Sequence, residues 1–154
     1  MKEIALTVKD HVLTFFNQYQ SLSEEETSVK LSESQWTLKE IVGHLVDSAS
    51  NNHQRITRLQ MIEKLDFPQY ECESWIAVEK WISMNWIDIL TLFKYYNLIL
   101  ANLMTNVNIE CLQNIWLYND DTLTLEFLIT DYLRHLKEHI LHFETRLAEV
   151  RAAS

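Results

Sequence analysis

The chain has 154 residues, 47% of them apolar, with a single Gly and a single Pro. That content suits one domain, residues 1–154, with a sizeable core, and it excludes disorder and turn-rich sheet architectures. A formal net charge of −9 repels phosphate backbones, so no nucleic-acid partner is expected.

The first helix is predicted from Val8, Val12, Phe15 and Tyr19, which recur at helical spacing and form one apolar stripe. It gives way to the polar stretch QSLSEEETSVKLSESQ. The opening residues, MKEIALTVKDHVLTFF, are charged and amphipathic and lack an apolar signal core, so the expected compartment is the cytoplasm.

The second helix has a sharp start. Thr37 followed by Glu40 is a Thr-x-x-Glu capping box. The helix is predicted to run to about Lys64, ahead of the breaker DFPQY with Pro68. The third helix is read from Val78, Ile82, Asn85, Ile89, Leu92, Tyr96, Ile99 and Leu103, an alternating 4,3 seam, with its Trp residues exposed and available for dimerisation. Its run WIDILTLFKYYNLILANL is interrupted by Asp88, Lys94 and Asn97, so it is not expected to enter a membrane.

A connector spans roughly residues 105 to 123, and its IWLYNDDTLT is compatible with a small hairpin. Thr124 is then the predicted N-cap of the last helix, with Glu126 in the first turn. Four amphipathic helices without a dominant sheet define an all-α four-helix bundle. The long connections leave room for a crossover in place of simple up-down-up-down wiring. Cys72 and Cys111 have no CxxC spacing and are expected to be reduced, buried thiols.

Three of the six histidines fall within YLRHLKEHILHF, residues 132–143. His135 and His139 are at i and i+4, so they stack on one helix face and can present nitrogens to one cation. Asp131 lies one turn earlier on the stripe. His142 is three residues beyond His139 and either lines the site or forms a competing pair with it. His44, on the inward stripe of the second helix with Ile41, Leu45 and Ser48, is the candidate third ligand. The only Gly, Gly43, precedes it in mid-helix, at a cost of about 1 kcal/mol relative to Ala, which suggests a close neighbour needing that space. His11 and His53 are expected at the surface.

Two sharper motifs fail. HLKEH matches the inverted zinc-peptidase pattern, but only 15 residues follow His139, too few for its downstream acidic ligand. No Glu stands three residues before any His, which removes the di-iron carboxylate pattern.

The segment Trp36, Thr37, Glu40, His44, Leu45, Asp47, Ser48, followed by NNHQRITRL, resembles the DinB/YfiT-like superfamily. So does Tyr132, His135, His139, His142 in the last helix, and Arg55, Arg58 and FPQYE are similar to the YfiT branch. The match spans nearly the whole chain in order and spacing. It implies up-down-down-up wiring and a homodimer. It also implies one divalent ion per chain, nickel, zinc or similar, on His44, His135 and His139. The activities implied are metal-dependent hydrolysis and thiol-dependent S-transfer on a small-molecule substrate. Glu138 departs from the pattern, standing where many YfiT-like sequences carry a further His; a solvated helix face is its simplest reading.

Three neutral imidazoles would leave a coordination position open, which would acidify a bound water or hold a thiol as thiolate. Asp47, three residues after His44, is the candidate catalytic carboxylate, to orient an imidazole or act as base, against the alternative of a polar residue at the rim. Asn51 and Arg55 continue the His44 face and are candidates to line a cleft, although an arginine at such a position more often pairs with a surface carboxylate, of which the chain has many. A non-catalytic metal-binding or stress-associated bundle is the alternative to an enzyme.

Overall fold

The computed structural model describes residues 1–153 and is built on four long helices: α1 (Lys2–Tyr19), α3 (Leu38–Leu59), α5 (Trp86–Thr105) and α6 (Leu125–Ala153). Two short helices, α2 (Glu24–Ser28) and α4 (Cys72–Glu79), lie in the connections. Strands β1 (Lys64–Leu65), β2 (Ile115–Tyr118) and β3 (Asp121–Thr124) form a small sheet in the order β1-β2-β3. Each long helix has two neighbours: α1 and α3 both pack between α5 and α6.

The wiring is up-down-down-up, and particular contacts carry it. Trp86 at the start of α5 donates its indole N–H to the carbonyl of Tyr19 at the end of α1, 2.9 Å, so those helices run antiparallel. Asn114, just ahead of α6, donates to the last carbonyl of α3, Leu59, at 2.6 Å. At the opposite end, the buried Arg146 of α6 donates to the carbonyl of Trp36, just before α3. The backbone N–H of Asn108, just past α5, donates to the side chain of Gln60 at the end of α3, 3.0 Å, so α3 and α5 point the same way and the chain between them must travel back the length of the bundle. That return explains the long connection carrying β1 and α4. The parallel pairing of β1 with β2, Lys64 opposite Ile115, ties the ends of α3 and α5 together.

The expected N-cap of α3 is present in full: Glu40 N–H donates to Thr37 Oγ1 at 3.2 Å, and Thr37 N–H donates to the Glu40 carboxylate at 2.7 Å. The stripe of α1 is buried as read, with Val8, Val12, Phe15 and Tyr19 in the core. Phe15 meets Phe93 and Phe143 edge to face, with centroids at 5.4 and 4.8 Å. Thr124 caps α6 by accepting from Phe127 N–H at 3.1 Å.

Five expectations need correction. Helix α3 stops at Leu59, not Lys64; residues 60–62 turn back on Thr57 and Arg58 and free Lys64 and Leu65 to join the sheet. The third long helix starts only at Trp86, because Lys80 is left-handed (φ 53°) and ends α4. Its buried face is Trp86, Ile89, Leu90, Phe93, Asn97, Leu100, Ala101 and Met104, so of the predicted seam only Ile89 is fully buried, while Val78, Ile82, Leu92 and Ile99 are exposed. The Trp residues of this region, Trp81 and Trp86, are buried, not exposed. Cys72 and Cys111 are free, as expected, but half-buried.

Gly43 has the close neighbour its position implied. A Cβ built there would overlap the indole ring of Trp81, which the return connection lays across α3. Gly43→Ala should gain about 1 kcal/mol from helix propensity alone. We expect it to destabilise by about 1–3 kcal/mol instead, because a rigid, buried indole must move. Urea denaturation reads the sign; a more stable variant would disprove the contact.

Candidate metal centre

His44 is held by the capped first turns of α3, and His135 and His139 by successive turns of α6. Antiparallel packing of the two helices brings them together. One ring nitrogen from each of the three lies within 4.8 Å of the others. His44 Nε2 and His135 Nε2 are 3.3 Å apart. Two nitrogens each ~2.0–2.1 Å from one tetrahedral ion stand about 3.3–3.4 Å apart, so the donor set fits a small divalent cation without rearrangement of that pair. A hydrogen bond between the two rings would satisfy only one pair of atoms. The buried Nδ1 atoms of His44 and His139 have no hydrogen-bond partner among the described residues. His135 Nδ1 lies 3.5 Å from Ser48 Oγ.

Burial is the main force on these rings. It pushes His44 down to about 3, with the charges of His139, His135 and His142 adding to it. His139 is pushed down to about 4 by burial and then by His135 and His142. His135 is lowered by burial against the opposing charge of Asp131. All three are therefore neutral at neutral pH, with lone pairs free to bind a cation.

The walls of the site are aromatic. Trp36 covers one side, its ring centroid 5.2 Å from that of His44, 6.4 Å from His139 and 6.3 Å from His142. Tyr70, two residues after Pro68, faces His44 at 6.3 Å. The signal available for Trp36 was its place immediately before the N-cap, which fixes it beside the first turns of α3. On the remaining side His44 and His135 open into a cavity of about 510 Å³, bordered also by Ser48, Asn52, Arg55 and Trp116.

The other candidate residues are placed as follows. Asp47 is buried, and its carboxylate accepts from Trp81 Nε1 at 3.2 Å; it is not among the residues bordering the cavity. Burial raises its carboxyl to about 7, partly opposed by that hydrogen bond. His142 is half-buried beside Trp36 and outside the three-histidine group. Glu138 is on the exposed face, paired with Arg134 at 2.6 Å, which agrees with the solvated reading. Asn51 is buried and donates to the carbonyl of Asp47. Arg55 does border the cavity and has no carboxylate partner. His11 and His53 are half-buried, and His53 packs edge-on to Tyr96 at 6.0 Å.

Fold and site together make a four-helix bundle with up-down-down-up wiring and a three-histidine cluster at one side of an open cavity. The structure is similar to that of YfiT from Bacillus subtilis, described as a probable metal-dependent hydrolase with an unusual four-helix bundle topology. The TM-score is 0.84, over 97% of this chain and 86% of that one, at 17% sequence identity. At that identity the likeness establishes the shared fold. No family model and no curated protein matches the sequence.

The depressed imidazoles tie the stability of the metal-free protein to pH. The unfolded chain takes up protons near the ordinary value of 6.5, while the folded rings at about 3 and about 4 do not. Stability present above 6.5 is therefore lost as pH falls through this window, by up to about 1.4 kcal/mol per pH unit for each ring. The melting temperature of metal-free protein should fall more steeply on acidification than that of His44→Gln. Equal slopes would show that His44 is not held neutral by the fold.

Proposed function

We propose that the chain is a metal-dependent hydrolase acting on a small molecule, with one divalent ion held by His44, His135 and His139. The carrying observation is the convergence of three neutral imidazoles from two helices, two of which, His44 and His135, border an open cavity. An all-imidazole donor set suits zinc, nickel and similar ions. When bound, such an ion supplies Lewis-acid chemistry, lowering the pKa of water toward neutrality. The description of YfiT supports hydrolysis.

The chain's own residues do the rest. Ser48, 3.5 Å from His135 Nδ1, orients that ring, as a partner on the second nitrogen does for a ligand histidine. Trp36 and Tyr70 limit access of water from the flanks. Asp47 is a positioning residue in this reading: it holds Trp81, and Trp81 rests on Gly43 beside His44. The open cavity favours an enzyme over a structural, coordinatively closed site, since no fourth His, Cys, Asp or Glu joins the three among the described residues.

Thiol-dependent S-transfer, which the sequence resemblance implies, would use the same open position, because neutral ligands leave a dication free to bind a thiolate. A cytoplasmic homodimer belongs to the same reading, with Leu92, Tyr95 and Ile99 of α5 supplying an exposed apolar face for light scattering to test.

Elemental analysis of the purified protein should find close to one divalent transition metal per chain. Single substitutions His44→Ala, His135→Ala and His139→Ala should each abolish stoichiometric metal, and retention in all three would reject the centre. An activity screen with and without low-molecular-weight thiols separates hydrolysis from transfer. Asp47→Asn should keep the metal, since the amide oxygen still accepts from Trp81. It should also leave the pH profile of activity unshifted; a lost basic or acidic limb would make Asp47 a proton carrier instead.

A further inference from the structure

Arg55 is the feature that the centre does not use. It is 6% exposed and sits on α3 eleven residues beyond His44, three helical turns along the same face. It borders the same cavity as His44 and His135. Its guanidinium lies over the ring of Trp116, 3.9 Å from the centroid. Its Nε is buried without a partner, and the side chain makes no hydrogen bond or ion pair with any described residue.

That arrangement is costly in a chain with 22 carboxylate residues and 13 cations. A buried charge is normally paired, and a cation–π contact offsets only part of the desolvation. The other arginine at the cavity, Arg134, is already engaged by Asp131 at 2.7 Å and Glu138 at 2.6 Å. That pairing also neutralises Asp131, the carboxylate bordering the cavity. Arg55 is left as a cation whose fork of N–H donors is unused, in a geometry suited to two oxygens of one anion.

We infer that Arg55 anchors an oxyanion, a carboxylate or a phosphate, borne by the molecule that occupies the cavity. The reading of that molecule as substrate rests on the hydrolase proposal. His44 and Arg55 are separated by about 16 Å along the helix axis at 1.5 Å per residue, shortened by the length of the arginine side chain. The ligand is accordingly elongated: its anionic end lies at Arg55 beside Trp116 and its reacting end at the histidines, with Tyr70 and Phe127 also bordering the cavity.

The test is calorimetric titration of the full chain with phenylphosphonate and, separately, phenylacetate, with benzyl alcohol as the uncharged control. One or both anions should bind saturably and the alcohol should not; which anion binds identifies the oxyanion. Arg55→Met should weaken binding by about tenfold to a hundredfold, the loss expected for charge-assisted hydrogen bonds. Its melting temperature should be unchanged or higher, since an apolar side chain replaces an unpaired buried charge. Arg55→Lys, which keeps the charge and loses the fork, should also bind more weakly and covers the case in which the methionine variant does not fold. Wild-type protein stripped of metal with a chelator should bind the anion as the untreated protein does. Binding kept in both Arg55 variants but lost on removal of metal would place the anion on the metal and overturn the anchor while supporting the centre. Absence of saturable binding of both anions would overturn it outright. Arg55-dependent binding in a protein that holds no metal would keep the anchor and reject the hydrolase reading.

Discussion

The antiparallel contact between α3 and α6 is the constraint on which the site depends. It joins two helices far apart in sequence so that positions 44, 135 and 139 face one another. Both ends are fixed by polar contacts, with Arg146 on the carbonyl of Trp36 at one and Asn114 on the carbonyl of Leu59 at the other. Between them the buried Tyr132, one turn before His135, donates to Asn97 of α5 at 2.6 Å. This bond locks the rotation of α6 about its axis, and with it the direction in which the histidine stripe points. Helices meeting through apolar side chains alone would leave that rotation less sharply specified.

The same contact creates an electrostatic problem. Three imidazoles are gathered where burial disfavours their charged forms, and two of their ring nitrogens lack partners. Arg55 is stranded a few turns away in a cavity wall. A core selected only for stability would replace these groups with apolar ones. Their joint presence around one cavity is intelligible if the missing partners are a cation at one end and an anion at the other. The cavity then recognises both signs of charge with neutral histidines and one arginine, within a protein that is strongly acidic overall.

What was legible in the sequence was local and periodic. Thr37 and Glu40 announced the start of α3, His135 and His139 their shared face, and Gly43 its crowded neighbour, although not that Trp81 was the neighbour. The α5 seam was misread for a physical reason: between Trp86 and Met104 apolar residues occupy more than one face, so two stripes fit the spacing. Only packing against α1 and α3 decides between them. The end of α3 was missed because no Gly or Pro marks it. Its carbonyl is capped by Asn114, fifty-five residues downstream. The hairpin of β2 and β3 lacks Gly at its two-residue loop and relies on left-handed Asn119 (φ 54°), a weaker signal, and its parallel partner β1 depends on long-range pairing.

Trp36, Tyr70 and Trp116 show a different limit. Each would be counted as core from composition, and Trp116 is indeed buried. Each also presents a ring to a polar group of the site: Trp36 to His44 and His139, Tyr70 to His44, Trp116 to Arg55. A ring face attracts a cation and tolerates a neutral imidazole, so it can line a polar cavity without demanding a hydrogen bond of its own. The return connection, forced by the parallel course of α3 and α5, delivers Tyr70 to the cavity and Trp81 to Gly43. The sheet tethering its first residues sets Trp116 beneath Arg55. The up-down-down-up wiring is thus also what furnishes the cavity, because a short loop between antiparallel helices would have supplied no residues to cover the face of α3 that bears His44 and Arg55.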